Sequence, residues 1–181
     1  MVALKLFFTI SAIVILYSFT SSSFDWYKYQ DKNCEILFPK PPKNDTLVRE
    51  TSVGKIIFYR HILKNEEIAK DSTFAYELLT TEYPSTETEL VNPTKEIAES
   101  LFKGTISSSL KQVDGKLVSE KDINISGYYA KEVKISFSNN KLITMRCYLA
   151  KTKLYVVETV SLVDRENNTG SVTFFESFKL K

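Results

Sequence analysis

GYYAKEVKISFSNNKLITMRCYLAKTKLYVVETVSL, residues 127–162, is the stretch whose reading decides the fold. Val133, Ile135 and Phe137 alternate with Glu132, Lys134 and Ser136. Ile143, Met145, Cys147 and Leu149 alternate with Thr144, Arg146 and Tyr148. Leu154-Tyr155-Val156-Val157 is apolar on both faces before Glu158. Period-two alternation sends successive side chains to opposite faces of a sheet. Asn139-Asn140 parts the first two runs, and Asn tolerates the positive φ of a tight hairpin. Lys151-Thr152 parts the second pair with weaker turn chemistry. The stretch is therefore a three-stranded antiparallel meander opened by Gly127.

Working outward, the preceding segment predicts a helix. Asn92-Pro93 is a start signal, with Asn as the cap and Pro at the first helical position. Ile97, Ala98, Leu101, Phe102, Ile106, Leu110 and Val113 then recur at three- and four-residue spacings, one apolar stripe about five turns long. Gly104 interrupts it and invites a close approach to the sheet. Asp114-Gly115 is a turn, and Lys116 to Ile125 is a polar strand suited to a sheet edge. Further upstream, Cys34–Phe38, Thr46–Glu50, Lys55–Leu63 and Thr73–Tyr83 read as strands, punctuated by Pro39, Pro41, Pro42, Gly54 and Pro84. Downstream, Phe174, Phe175 and Phe178 favour a short amphipathic helix, with Thr169 as a candidate cap and a final strand as the alternative.

Strands that are apolar on both faces need cover on both. The expected fold is therefore α+β: a mostly antiparallel sheet of about six or seven strands with helices on both faces, an α/β/α sandwich. Val133, Ile135, Ile143, Met145, Cys147 and Leu149 are expected under the long helix. The opposite face, with Tyr148 and Tyr155, has less cover available and is expected to be the surface a partner meets. Trp26 and Tyr27, in the aromatic segment Phe24 to Tyr29, are further candidates for that surface, with core packing as the competing reading.

The chain has 181 residues, 43% of them apolar and 13% aromatic, a globular composition large enough for a sizeable core. Its 24 basic and 22 acidic residues are interspersed, and like charges never run beyond adjacent pairs. No clustered basic face is expected, which excludes nucleic acid as the main partner. Residues 1–23 combine Lys5, an uncharged apolar run from Leu6 to Phe19 and the small residues Thr20-Ser21-Ser22-Ser23. That is the layout of a signal peptide; the run is short of the roughly 20 residues that span a bilayer, and an uncleaved anchor is the alternative. The expected location is extracytoplasmic, with residues 24–181 as a single domain.

Export would permit a disulfide between Cys34 and Cys147, adding about 4–5 kcal/mol in the chain-entropy model. Two separate buried thiols are the alternative. The single histidine, His61, lies beside Arg60 with no ligand or nucleophile at useful spacing. There is no G-x-S-x-G, no phosphate loop and no H-E-x-x-H. Glu66-Glu67, Glu87 and Glu89 read as solvated loop carboxylates. No catalytic residue, metal or cofactor is expected.

Four short motifs, taken in order, carry a resemblance. They are Phe38-Pro39-x-x-Pro42, Gly127-Tyr128-Tyr129-Ala130-Lys131-Glu132-Val133, Leu154-Tyr155-Val156-Val157 and Phe174-Phe175-Glu176-Ser177-Phe178-Lys179-Leu180. Over residues 26–180 the chain resembles small exported bacterial proteins similar to PsbP, the extrinsic subunit of photosystem II, whose fold is shared with a Ran-binding nuclear import factor. The resemblance implies an antiparallel sheet sandwiched between helices, and an accessory or binding role. Function is accordingly expected to be that of a non-enzymatic interaction module docking to a protein partner at the membrane or envelope. A small-ligand-binding protein is the alternative.

Overall fold

The computed structural model describes residues 25–52, 54–65, 72–85, 88–125 and 127–181. The N-terminal segment 1–23, Phe24, the Glu66-Glu67 pair and Glu87 lie outside the described residues. The strands are β1 (Tyr27–Gln30), β2 (Cys34–Phe38), β3 (Lys43–Thr51), β4 (Gly54–Lys64), β5 (Thr73–Glu82), β6 (Lys116–Ile125), β7 (Tyr128–Phe137), β8 (Lys141–Ala150), β9 (Lys153–Leu162) and β10 (Lys179–Leu180). The helices are α1 (Thr88–Val91), α2 (Lys95–Val113) and α3 (Thr169–Ser177).

A seven-stranded antiparallel sheet runs in the order β3-β4-β5-β9-β8-β7-β6. The meander forms as expected: Val133 faces Met145, Ile135 faces Ile143, and Tyr148 faces Tyr155 across adjacent strands. Asn139 and Asn140 take φ of 60° and 57°, and Lys151 supplies φ 52° at the second turn. β6 is an edge, as its lysines and acids suggested, and β3 is the other edge, exposed at every position.

Each face of this sheet carries its own core, because alternation divides every strand between them. On one face Val133, Ile135, Ile143, Met145, Cys147, Leu149, Leu154 and Val156 pack with Ala98, Phe102 and Ile106 of α2. On the other, Tyr76, Leu78, Tyr148, Tyr155 and Val157 pack with Cys34, Ile36 and Phe38 of β2 and with Phe174, Phe175 and Phe178 of α3 and its C-cap. Cover here differs from a simple α/β/α sandwich. β1, β2 and β10 form a second, three-stranded sheet, and the nine-residue α3 is tied to it where Ser177 Oγ accepts from the Leu37 backbone N–H at 2.9 Å. The aromatic tail forms the helix expected of it, capped by Asn168 and not by Thr169, and a two-residue strand follows it.

Two local expectations are corrected. α2 starts at Lys95 with Thr94 as its cap, its hydroxyl accepting from the Ile97 N–H at 3.4 Å. The Asn92-Pro93 signal thus lies just outside the helix. Thr94 sits in the extended conformation a cap requires, whereas proline's ring only fixes the approach. Gly104 makes no close approach, since a Cβ built there meets nothing within 4 Å. The tight glycine is Gly115, whose Cβ would lie 2.6 Å from Ile135 and 3.0 Å from the Ser136 carbonyl.

Candidate functional site

A seven-stranded sheet is about 29 Å wide at roughly 4.8 Å per strand, whereas one helix spans about 10–12 Å. α2 covers its face over the β7–β9 side, and among the described residues no helix covers the β3–β5 side of that face. Between its C-terminal half and this wing lies a cleft of about 620 Å³. The alternation of four strands aims the same set of side chains into it: Asp45, Leu47 and Arg49 from β3, Phe58 and Arg60 from β4, Glu77 and Leu79 from β5, Val156 and Glu158 from β9. From above, Thr105, Ser108, Ser109 and Gln112 of α2 line the opposite wall.

The floor is electrostatically uneven. Arg60 grips Glu77 with two hydrogen bonds, Nε to Oε1 and Nη2 to Oε2, both 2.8 Å. This fork is the strong geometry for guanidinium and carboxylate, and Glu77 pulls the Arg60 pKa further up. Glu158 stands directly opposite Glu77 across the β5–β9 ladder. Like charges in that position repel. No hydrogen bond or ion pair from any described residue reaches the Glu158 carboxyl. Burial first, and then Glu77, push its pKa up from 4.5 to about 8, and Arg60 only partly opposes them. Its residual exposure is into the cleft, so the surrounding protein, more than its accessible area, governs its ionisation. At the rim the Arg49 guanidinium sits 5.7 Å from the centre of the Phe58 ring.

A second charged cluster is closed on itself. Lys131, nearly buried on the α2 side of β7, meets Glu120 at 2.6 Å, Glu99 at 2.8 Å and Asp122 at 3.3 Å. These partners hold its pKa above the ordinary lysine value against the cost of burial. It braces β6 and α2 and has no donor to spare for a ligand.

The residues singled out from sequence lie elsewhere. Tyr148 and Tyr155 are 1% and 2% exposed, with the Phe178 ring at 4.8 and 5.8 Å. The tail covers the face on which they stand, so they are core and not a partner surface. Trp26 is half-buried against the same cluster; Tyr27 alone of the four is exposed. Cys34 and Cys147 are free, buried thiols in different core clusters on opposite faces of the sheet, so of the two readings it is the separate thiols and not the disulfide that the fold shows. Burial pushes both thiols up to about 12. His61 is 9% exposed on the face away from the cleft, with its Nδ1 2.7 Å from Asn44 Oδ1 and its ring 4.1 Å from that of Tyr29. Burial lowers its pKa. Among the described residues no group of three or more His, Cys, Asp or Glu is placed to hold a metal ion.

Arg60, Glu77 and Glu158 escaped the sequence reading. One signal was present: Glu158 directly follows the doubly apolar Leu154–Val157 run, so a charge had to lie within a central strand.

The architecture belongs to a known class, the PsbP-like fold. The solution structure of cyanobacterial PsbP (CyanoP) from Synechocystis sp. PCC 6803 aligns over 96% of this chain and 98% of its own, at 13% identity and a TM-score of 0.52. The crystal structure of PA94 from Pseudomonas aeruginosa, described as a protein of unknown function and putative regulator, aligns over 78% of this chain and 85% of its own at 8% identity and a TM-score of 0.33. No family model matches the chain, and no curated protein matches it in sequence. Among the described residues no helix is long and apolar enough to cross a membrane.

Proposed function

We propose that this protein is an exported, non-enzymatic binding module of PsbP-like fold that holds a small ligand in the cleft between α2 and the β3–β5 wing. The observation that carries this is the cleft itself. It sets the apolar side chains Leu47, Phe58 and Leu79 among convergent charged and hydroxyl groups, and its volume lies within the usual range of small-molecule sites, about 300–1,000 Å³. The absence of a reaction is supported by His61, the one residue on which nucleophilic catalysis would rest: it sits on the other side of the sheet from Glu158. Export is supported by the signal-like layout of residues 1–23. The test is a fragment screen by two-dimensional NMR on the full chain, repeated on Ser108→Trp, which fills the cleft from α2. Ligands should shift amides of β4, β5, β9 and α2 in the wild type and lose that effect in the variant. Hits that map elsewhere, or none at all, would remove the cleft from consideration.

Docking to an envelope protein is the second reading, and β3 favours it. All nine of its residues are exposed, Leu47 and Val48 at 49% and 44%, and its outer edge pairs with no described strand. Such an edge can accept a partner's strand. A Val48→Pro change would then abolish capture of the partner while sparing ligand binding in the cleft.

A further inference from the structure

We infer that the ligand of this cleft is a small organic cation whose positive charge rests against Glu158. The inference builds on the cleft being a ligand site and names the chemistry of that ligand.

The charges facing Glu158 can be taken element by element. β5 presents Glu77, β4 presents Arg60, and β3 presents Asp45 and Arg49; α2 and β8 present only Thr105, Ser108, Ser109, Gln112, Val113 and Ile143 to the cleft. Both forks of the Arg60–Glu77 pair are used on each other. Arg49 stands at the rim over Phe58. Three carboxyls therefore meet two guanidiniums, and the carboxyl left over is Glu158, the one without a partner and the deepest between the strands. Without a ligand the proton on Glu158 balances the count, and one monovalent cation can take that proton's place.

The surroundings select an organic cation. A hard metal ion needs several oxygens around it, and no such group is present among the described residues. Leu47, Phe58 and Leu79 instead offer apolar surface in the same cleft, suited to the carbon body of an amine or a quaternary ammonium. Ser108, Ser109 and Gln112 can hydrogen-bond a hydroxyl on the same molecule.

Occupation has a proton cost that can be read. The empty site holds Glu158 protonated up to about pH 8. A cation prefers the carboxylate, so binding releases that proton to solvent. A quaternary ammonium carries no titrating proton of its own and makes the linkage clean.

The experiment is calorimetric titration of the full chain with choline, a linear diamine and a primary alkylamine, each paired with its uncharged isostere. At least one cation should bind, its isostere should not, and affinity should tighten by about tenfold per pH unit from pH 6 towards 8 and then level off. Glu158→Gln should bind that cation at least tenfold more weakly and without pH dependence, while Glu158→Asp should keep part of the affinity. The inference is overturned if uncharged isosteres bind as well as the cations, if Glu158→Gln retains the affinity, or if no cation of the set binds. Isosteres shifting cleft amides would leave the cleft standing as a ligand site with the wrong chemistry assigned. An empty fragment screen would instead end both proposals.

Discussion

Glu158→Gln should make the protein more stable, and increasingly so as pH rises from 5 to 8. The free carboxyl in an unfolded chain titrates near 4.5, whereas the folded environment pushes it up to about 8. Below pH 4.5 both states hold the proton. Between the two values the folded state keeps it and the unfolded state has lost it, so unfolding releases a proton and rising pH favours unfolding. The Glu158 contribution to stability is thus fully present below 4.5 and is lost as pH climbs to 8. At about 1.4 kcal/mol per tenfold, the loss between pH 5 and pH 8 is at most about 3–4 kcal/mol. Water entering the cleft screens part of it, so we expect roughly 2 kcal/mol. Glutamine keeps the shape of the protonated acid and cannot ionise. Other groups cancel in the comparison. His61, its pKa lowered by burial, costs stability as pH falls, equally in both proteins, and the buried thiols act only above this range. The assay is urea unfolding of both proteins at pH 5, 6, 7 and 8. Parallel curves, or a wild type that gains on the variant with rising pH, would refute the assignment of an unpaired, proton-holding Glu158.

Gly104→Ala should stabilise the protein by about 0.5–1 kcal/mol in chemical denaturation, since the added methyl meets open space in the middle of a helix. Phe178→Ala should cost about 3–4 kcal/mol, because its ring joins Tyr148 and Tyr155 to the tail; tyrosine fluorescence and tryptic cleavage near the C-terminus would report the loosened cover. Cys34 and Cys147 should be inert to an aromatic disulfide reagent in the native state and react together on denaturation, with identical mobility on reducing and non-reducing gels.

Much of the fold was legible because alternation is a local property. The meander needs only the residues of 127–162, and its turns need only asparagines that accept positive φ. The stripe of α2 and the aromatic tail are equally local. What remained illegible depends on pairing between segments distant in sequence. Nothing in Tyr76-Glu77-Leu78 or in Val157-Glu158-Thr159 says that β5 lies beside β9, and only that neighbourhood sets Glu77 against Glu158. The three-stranded sheet was hidden for the same reason, since β1, β2 and β10 come from the two ends of the described chain. The two cysteines illustrate the point from the other side. Both sit in apolar strands, and only the stacking of layers tells that the sheet stands between them.

The expectation about the binding face failed for an instructive reason. The face with Tyr148, Tyr155 and Val157 looked under-covered because only one long and one short helix were counted as cover, and the three-stranded sheet was not. An apolar face, however, recruits whatever amphipathic segments the chain has, because each large aromatic buried is worth a few kcal/mol. Two short strands and a nine-residue helix suffice when Phe38, Phe174 and Phe178 are among their residues. The opposite face keeps its helix over β7 to β9, where Val133, Ile135, Ile143, Met145, Cys147 and Leu149 concentrate its apolar surface. Towards β5 and β4 it carries Glu158, Glu77 and Arg60 in place of aliphatic residues, and covering these would strand charge away from water. The sheet is therefore left open where its apolar pattern is interrupted. That coincidence of an uncovered wing with an unpartnered carboxyl is what makes the cleft, more than any aromatic surface, the place to look for a ligand.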